Sequence, residues 1–282
     1  MHFSGQKIAL ISAKQSYAAM NAMPESLLAA DEKAPVSVYH SGGSSPFLVV
    51  VDHAGKLVPR ALGGLGISDQ ERARHIGWDI GIAGVARLLA DALDATLIAQ
   101  NYSRLVIDCN RPPGTPTSIP LVSELTAIPG NADLTDAERQ ARAREIFWPY
   151  HDRIEAELDA RREAKRKTAL IALHSFTPVF KGVARPWHTA LLYNRDPRFA
   201  RRLLELLKRE QDLVVGDNEP YLVSDATDYT IPVHGERRGI LHAAIEIRQD
   251  LIAEETGQRQ WAQRLARALP QAYGPLATKV PA

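Results

Sequence analysis

The sequence predicts an α/β fold of three layers, a mostly parallel or mixed sheet flanked by helices, and three observations carry that expectation. The apolar runs Phe47–Val51 and Ala169–Leu173 are continuous rather than alternating, as in strands buried on both faces. Helix-opening signals lie between such runs, at Ser68 followed by Glu71 and at Thr135 followed by Glu138, the spacing of a capping box. Strand-like and helix-like segments therefore alternate along the chain, the order that builds layered α/β domains.

Taken in order, residues 1–34 read as an N-terminal arm, with a helical stretch around residues 18–30, and residues 35–282 as one α/β domain. The turn-forming run Ser41-Gly42-Gly43-Ser44-Ser45-Pro46 precedes the first core strand, Phe47–Val51. Residues 55–66, with Pro59, Gly63 and Gly64, read as a loop. A helix capped by Ser68 follows, with an apolar stripe through Ile76, Ile80, Ala83, Val85, Leu88, Leu89 and Leu93. Residues 96–99 and 105–107 read as short strands, and the Pro- and Gly-rich residues 111–133 as a long irregular loop. A long helix is expected from the Thr135 cap to about Lys167, where the run Arg161–Lys167 complements the helix dipole and reads as solvated. Strands at 169–175, 189–193, 213–215 and 242–247 and helices at 197–210 and about 256–270 complete the reading.

Composition excludes several classes of function. A net charge of +1 gives no electrostatic footprint for nucleic acid. No apolar stretch approaches the ~18 residues of a membrane span, and the first residues lack the build of a secretory signal. The single cysteine, Cys109, precludes an intrachain disulfide, fits a reducing cytoplasm and reads as a small buried apolar residue. The expectation is a cytoplasmic protein without nucleic-acid or membrane partners; its oligomeric state is left open.

Chemistry enters at the strand ends. Ligands of open α/β sheets sit outside the carboxyl ends of the strands, and two apolar strands here end on His53 and His174. Either histidine alone is more often structural; at one sheet edge, as neutral imidazoles, the pair suits a metal such as zinc. Asp79 stands between Gly77 and Gly81 in the first half of an otherwise apolar helix, where close approach of backbone or an ion is allowed. A catalytic zinc takes three protein ligands and leaves a position for water. His53, Asp79 and His174 would complete that set, with one Zn2+ per chain.

Glu246, ending the apolar run from His242, is placed as general base, with an ion pair to Arg248 two residues on as the alternative. Arg104 and Arg111 could polarise a carbonyl or clamp a carboxylate, although either could instead form a buried pair with Asp108. Ser103, Asn110, Arg248 and His234 complete the candidate substrate contacts; the Gly-bracketed loop of His234 could equally be a solvated turn.

Together the segments Asp52-His53-Ala54-Gly55 with Pro59, Trp78-Asp79, Tyr102 through Arg111, His174-Ser175, and His242 leading to Glu246 resemble the N-formylglutamate amidohydrolase family, over most of residues 46–270. The resemblance implies a fold similar to zinc carboxypeptidases and acylases. It implies hydrolysis of an N-acyl amide of an acidic amino acid, in the simplest case N-formylglutamate, and supports His53 and His174 as ligands and Glu246 as base. One departure stands out: the wider carboxypeptidase-like group uses a His-x-x-Glu pair, and Lys56 occupies that glutamate position, so Asp79 is assigned as third ligand. The expected partner is a small anionic N-acyl amino acid. The alternatives are a metallopeptidase or amidase on peptide-like amides, for which the loop 111–133 leaves room, and a non-catalytic dicarboxylate-binding protein.

Overall fold

The computed structural model describes residues 26–277. Strands β1 (Val36–Tyr39), β2 (Phe47–Val51), β3 (Thr96–Gln100), β6 (Ala169–Phe176), β9 (Thr189–Leu192), β10 (Val215–Asp217) and β11 (Leu241–Arg248) form one sheet in the order β1-β3-β2-β6-β11-β9-β10. The central strands β3, β2, β6 and β11 are mutually parallel. β1 joins antiparallel to β3, and β9 antiparallel to β11. The sheet is therefore mixed and mostly parallel, with helices on both faces, and the predicted fold class holds. Short hairpins, β4 (Val122–Ser123) with β5 (Thr126–Ala127) and β7 (Val179–Phe180) with β8 (Val183–Ala184), project from loops.

Side-chain alternation along the strands divides the core. Val49, Val51, Ile171, Leu173, Ala243 and Ile245 face α2 (Ile82–Leu93), α5 (Arg198–Leu207) and α6 (Glu255–Ala277). Leu48, Val50, Leu170, Ala172 and Ala244 face the other layer, with Phe147, Tyr150 and Ile154. That layer is one helical run, α3 (Asp136–Arg142) and α4 (Trp148–Glu163), joined by a π-turn over Ala143–Phe147. Burying each large aliphatic side chain contributes about 1.5–3 kcal/mol, and both faces of the four central strands collect that gain. The same alternation carries Asp52, His174 and Glu246 onto the α4 side.

Several elements differ from expectation, each for a local reason. The helix opened by Ser68 closes after one short turn, α1 (Asp69–Arg72), and restarts at Ile82. Gly81 ends the break with φ 80°, and a Cβ there would lie 2.0 Å from the Ile252 carbonyl oxygen. Asp79 thus sits in the linking turn, not inside a helix. Residues 105–107 form a turn rather than a strand. Two of their carbonyls accept from side chains: Asn131 donates to Leu105 and Arg142 to Val106.

The strand expected at 213–215 is shifted to β10, and the antiparallel edge strand β1 was not read from sequence. The loop at 55–66 holds two short 3₁₀ turns broken at Gly63–Leu65, and the loop at 111–133 a single 3₁₀ turn and the β4–β5 hairpin. Of the helical arm expected at 18–30, residues 18–25 lie outside the described residues and 26–30 are not helical. Arg161 is not solvated: it is 2% exposed, donates to Glu157 and to the carbonyl of Ser45, and ties α4 to the start of β2. Among the described residues, no helix is long and apolar enough to cross a membrane.

Candidate metal centre

β2 and β6 run parallel, so the residues after their last core positions emerge at one edge of the sheet. His53 follows β2, and His174 lies near the carboxyl end of β6, beside Glu246 on β11 in the strand register. Asp79 joins them because its turn docks on the β2 end: its backbone N–H donates to the His53 carbonyl at 2.9 Å. Ser103 supports the turn from beneath, its hydroxyl donating to the Gly77 carbonyl at 2.7 Å. Gly55 allows the loop after His53 to lie against the loop that carries Arg104 and Asp108. A Cβ on Gly55 would meet the Asn101 carbonyl oxygen at 1.9 Å.

One donor atom each from His53, Asp79 and His174 lie within 4.8 Å of one another, all three residues buried. Asp79 Oδ2 is 3.4 Å from His53 Nδ1 and 3.1 Å from His174 Nδ1. The outer nitrogens face other carboxylates: His53 Nε2 is 2.7 Å from Asp108 and His174 Nε2 is 3.1 Å from Asp52. A proton held on His53 Nε2 by Asp108 leaves the His53 Nδ1 lone pair turned toward Asp79 Oδ2, the same oxygen to which His174 Nδ1 is hydrogen-bonded. That is the carboxylate–histidine arrangement that orients metal ligands. His53 Nδ1 is buried without a hydrogen-bond partner. The donor set, two imidazoles and a carboxylate, fits zinc or a similar divalent ion.

The carboxylates are themselves fixed. Asp52 accepts from Tyr150 at 2.8 Å and Thr230 at 2.7 Å, and Asp108 accepts from Arg104 at 2.6 Å. Burial opposes ionisation of Asp52, but His174 outweighs it and holds the carboxyl at about 2. Burial likewise opposes ionisation of Asp79, and His53 and His174 hold it well below the usual carboxylate range. Glu246 goes the other way: burial pushes its carboxyl up to about 7, and Oε2 has no hydrogen-bond partner. Adjacent carboxylates driven apart in this way are a recurring signature of acid–base sites.

His53, Asp79, His174 and Glu246 line a cavity of about 480 Å³. The sequence model of the N-formylglutamate amidohydrolase family matches residues 45–253, a span that holds every residue of the site. The chain belongs to the N-formylglutamate amidohydrolase family. It is 37% identical to the gene product Atu2144 from Agrobacterium tumefaciens, over 89% of this chain and 99% of that one, with a TM-score of 0.86. It also shares its fold with the N-formylglutamate amidohydrolase from Ralstonia eutropha JMP134, at 22% identity, covering 88% and 98%, with a TM-score of 0.58. No curated protein matches the chain.

Within this family member, the structure brings some candidate residues together and leaves others apart. Glu246, Arg104, Asn110 and Arg111 line the cavity with the three candidate ligands. Arg104 and Asp108 do pair, with Asp108 buried and Arg104 half-buried at the cavity, and Arg111 lies 3.4 Å from Asp228. Ser103 lies under the Gly77 turn rather than at the cavity wall. Arg248 turns to Asp250 at 2.8 Å, so it neither pairs with Glu246 nor lines the cavity. His234 belongs to a separate cleft, where its ring stacks on His151 and Nε2 is 2.9 Å from His151 Nδ1.

Sequence reasoning did not assign Asp52 and Asp108 as the partners that orient the histidines. Asp52 had a signal, an acid directly before the histidine on an apolar strand. Tyr221 and Asp228, which line the cavity from loops after β10, had none.

Proposed function

We propose that this chain is a metal-dependent amidohydrolase, with zinc as the ion, that cleaves the amide of an N-acyl amino acid, the class to which N-formylglutamate belongs. The observation that supports it most is the convergence of His53, Asp79 and His174 beside Glu246, a buried carboxylate whose Oε2 has no partner. A zinc ion held by those three residues supplies Lewis acidity and lowers the pKa of water toward ~7.

The chain's own residues do the rest. Glu246 accepts a proton from the attacking water and passes it to the departing nitrogen as the C–N bond breaks, releasing a carboxylate and an amine. Arg104, fixed by Asp108 and 3.4 Å from Asp79, places positive charge at the cavity wall where the carbonyl oxygen gains charge. Arg111 offers the guanidinium edge not turned to Asp228 for the substrate carboxylate. A metal-free dicarboxylate-binding protein is less well supported, because each of these arginines already faces a protein carboxylate.

Amine release from N-formyl and N-acetyl amino acids tests the proposal. Activity is expected to disappear on chelation and return with added zinc. Undiminished amine release after complete removal of metal would contradict it.

A further inference from the structure

The floor of the active-site cavity is aliphatic. Ala172 and Ala244 precede His174 and Glu246 by two residues, on the same faces of β6 and β11, and are partners in the strand register. Leu192 of β9 pairs with Ala244 on the other side, so Ala172, Ala244 and Leu192 form a row across three strands. This row lies one pleat below the row of His174 and Glu246. Val223 and Ile231 also line the cavity, and all five residues are buried. Two alanines among larger neighbours leave an apolar trough along this row, in a cavity that Thr230 and Tyr221 also line.

Charge complements this shape. Among the described residues, the only lysines or arginines lining the cavity are Arg104 and Arg111. Arg104 gives Nε and Nη2 to Asp108, and its Nη1 faces Asp79 at 3.4 Å. Arg111 gives Nη1 to the Thr227 carbonyl and lies against Asp228, leaving its remaining edge for one anion. Arg185 does not itself line the cavity: it donates to the hydroxyl of Tyr221, which does, at 2.9 Å and lies over the Phe180 ring. An N-acyl dicarboxylate would bring two carboxylates to one available guanidinium edge, and a second carboxylate lying over the Ala172, Ala244 and Leu192 row would be desolvated there without a cationic partner.

We propose that the trough takes an apolar arm, so that this chain prefers N-acyl amino acids with a single carboxylate and an aliphatic or aromatic group over N-acyl dicarboxylates. This rests on the amidohydrolase reading above and names the substrate class of the same site. The arm is either the amino-acid side chain or the acyl group; the two share one chemistry and are separated by the choice of compound.

The test compares kcat/KM of the zinc-loaded full chain for N-formyl-L-glutamate, N-formyl-L-leucine and N-hexanoylglycine. At least one apolar compound is expected to exceed N-formylglutamate by roughly 10- to 100-fold, the discrimination a hydrophobic pocket gives. A leucine advantage assigns the trough to the side chain, and a hexanoyl advantage assigns it to the acyl group. Equal or better hydrolysis of N-formylglutamate overturns the proposal.

Val223→Thr, an isosteric change on a loop, and Ala244→Val, which fills the trough, are each expected to reduce the apolar-to-glutamate ratio several-fold. An unmoved ratio in folded protein of both variants would count against the trough. If no compound is hydrolysed, the amidohydrolase reading fails, and calorimetry with the same compounds still decides the subsite: tighter binding of an apolar compound supports it, and tighter binding of N-formylglutamate overturns it.

Discussion

Glu246→Gln is expected to retain its metal and lose turnover by about 10²- to 10⁴-fold, the range that a positioned general acid–base contributes. Glutamine matches glutamate in shape and removes only the ability to take up and return a proton. Because Glu246 Oε2 has no hydrogen-bond partner, the change breaks no interaction of that oxygen that holds β11 in place. Glu246 is not among the three converging ligands, so metal content is not expected to fall. Metal analysis and single-turnover amine release on the same sample check both halves. Turnover at the parent rate would remove Glu246 from the mechanism.

His53→Ala is expected to be more severe, abolishing both metal retention and turnover. It removes one of the three candidate donors found among the described residues, and the two that remain cannot form the three-ligand site of a catalytic zinc. The fold is expected to survive, because Asp108, left by its histidine, keeps the Arg104 guanidinium at 2.6 Å. Asp108→Asn provides the graded comparison. It leaves every donor in place but loosens the orientation of His53, and loss of such a partner typically weakens metal affinity by about 10- to 100-fold. Competition with a chelating dye reads both variants. Parent-like affinity in His53→Ala would show that the metal, if any, is held elsewhere.

The parts of this site that were legible in the sequence are those fixed by strand periodicity. Continuous apolar runs located β2, β6 and β11, and polar residues near the carboxyl end of each lie at the sheet edge, hence His53, His174 and Glu246. Asp79 was legible through its glycine neighbours, although Gly81 breaks the helix rather than softening it. Longer-range pairings were not legible. Asp108 meets His53 only because Gly55 lets two loops touch, and Asp52 meets Tyr150 only because the α3–α4 run packs across the sheet.

The same limit explains Arg248 and His234. Period-two alternation places Arg248 on the Glu246 face, but Asp250 lies close enough in sequence to capture it as β11 ends. His234 lies four residues from Thr230, which reaches Asp52, yet the intervening π-turn directs it into another cleft. Arg161, in a run that reads as a solvated helix end, is buried because Glu157 and the carbonyl of Ser45 converge on it. Each case is decided by a partner distant in sequence or by a local competitor, which charge and spacing alone do not specify.

The central claim is that two strand ends and a glycine-bracketed turn build one metal site. The most direct test is metal analysis of the purified, zinc-supplied chain after unbound zinc is removed. About one zinc per chain is the predicted result, as for a single catalytic site. A chain that retains none under those conditions would contradict the claim, and with it the amidohydrolase mechanism built on His53, Asp79 and His174.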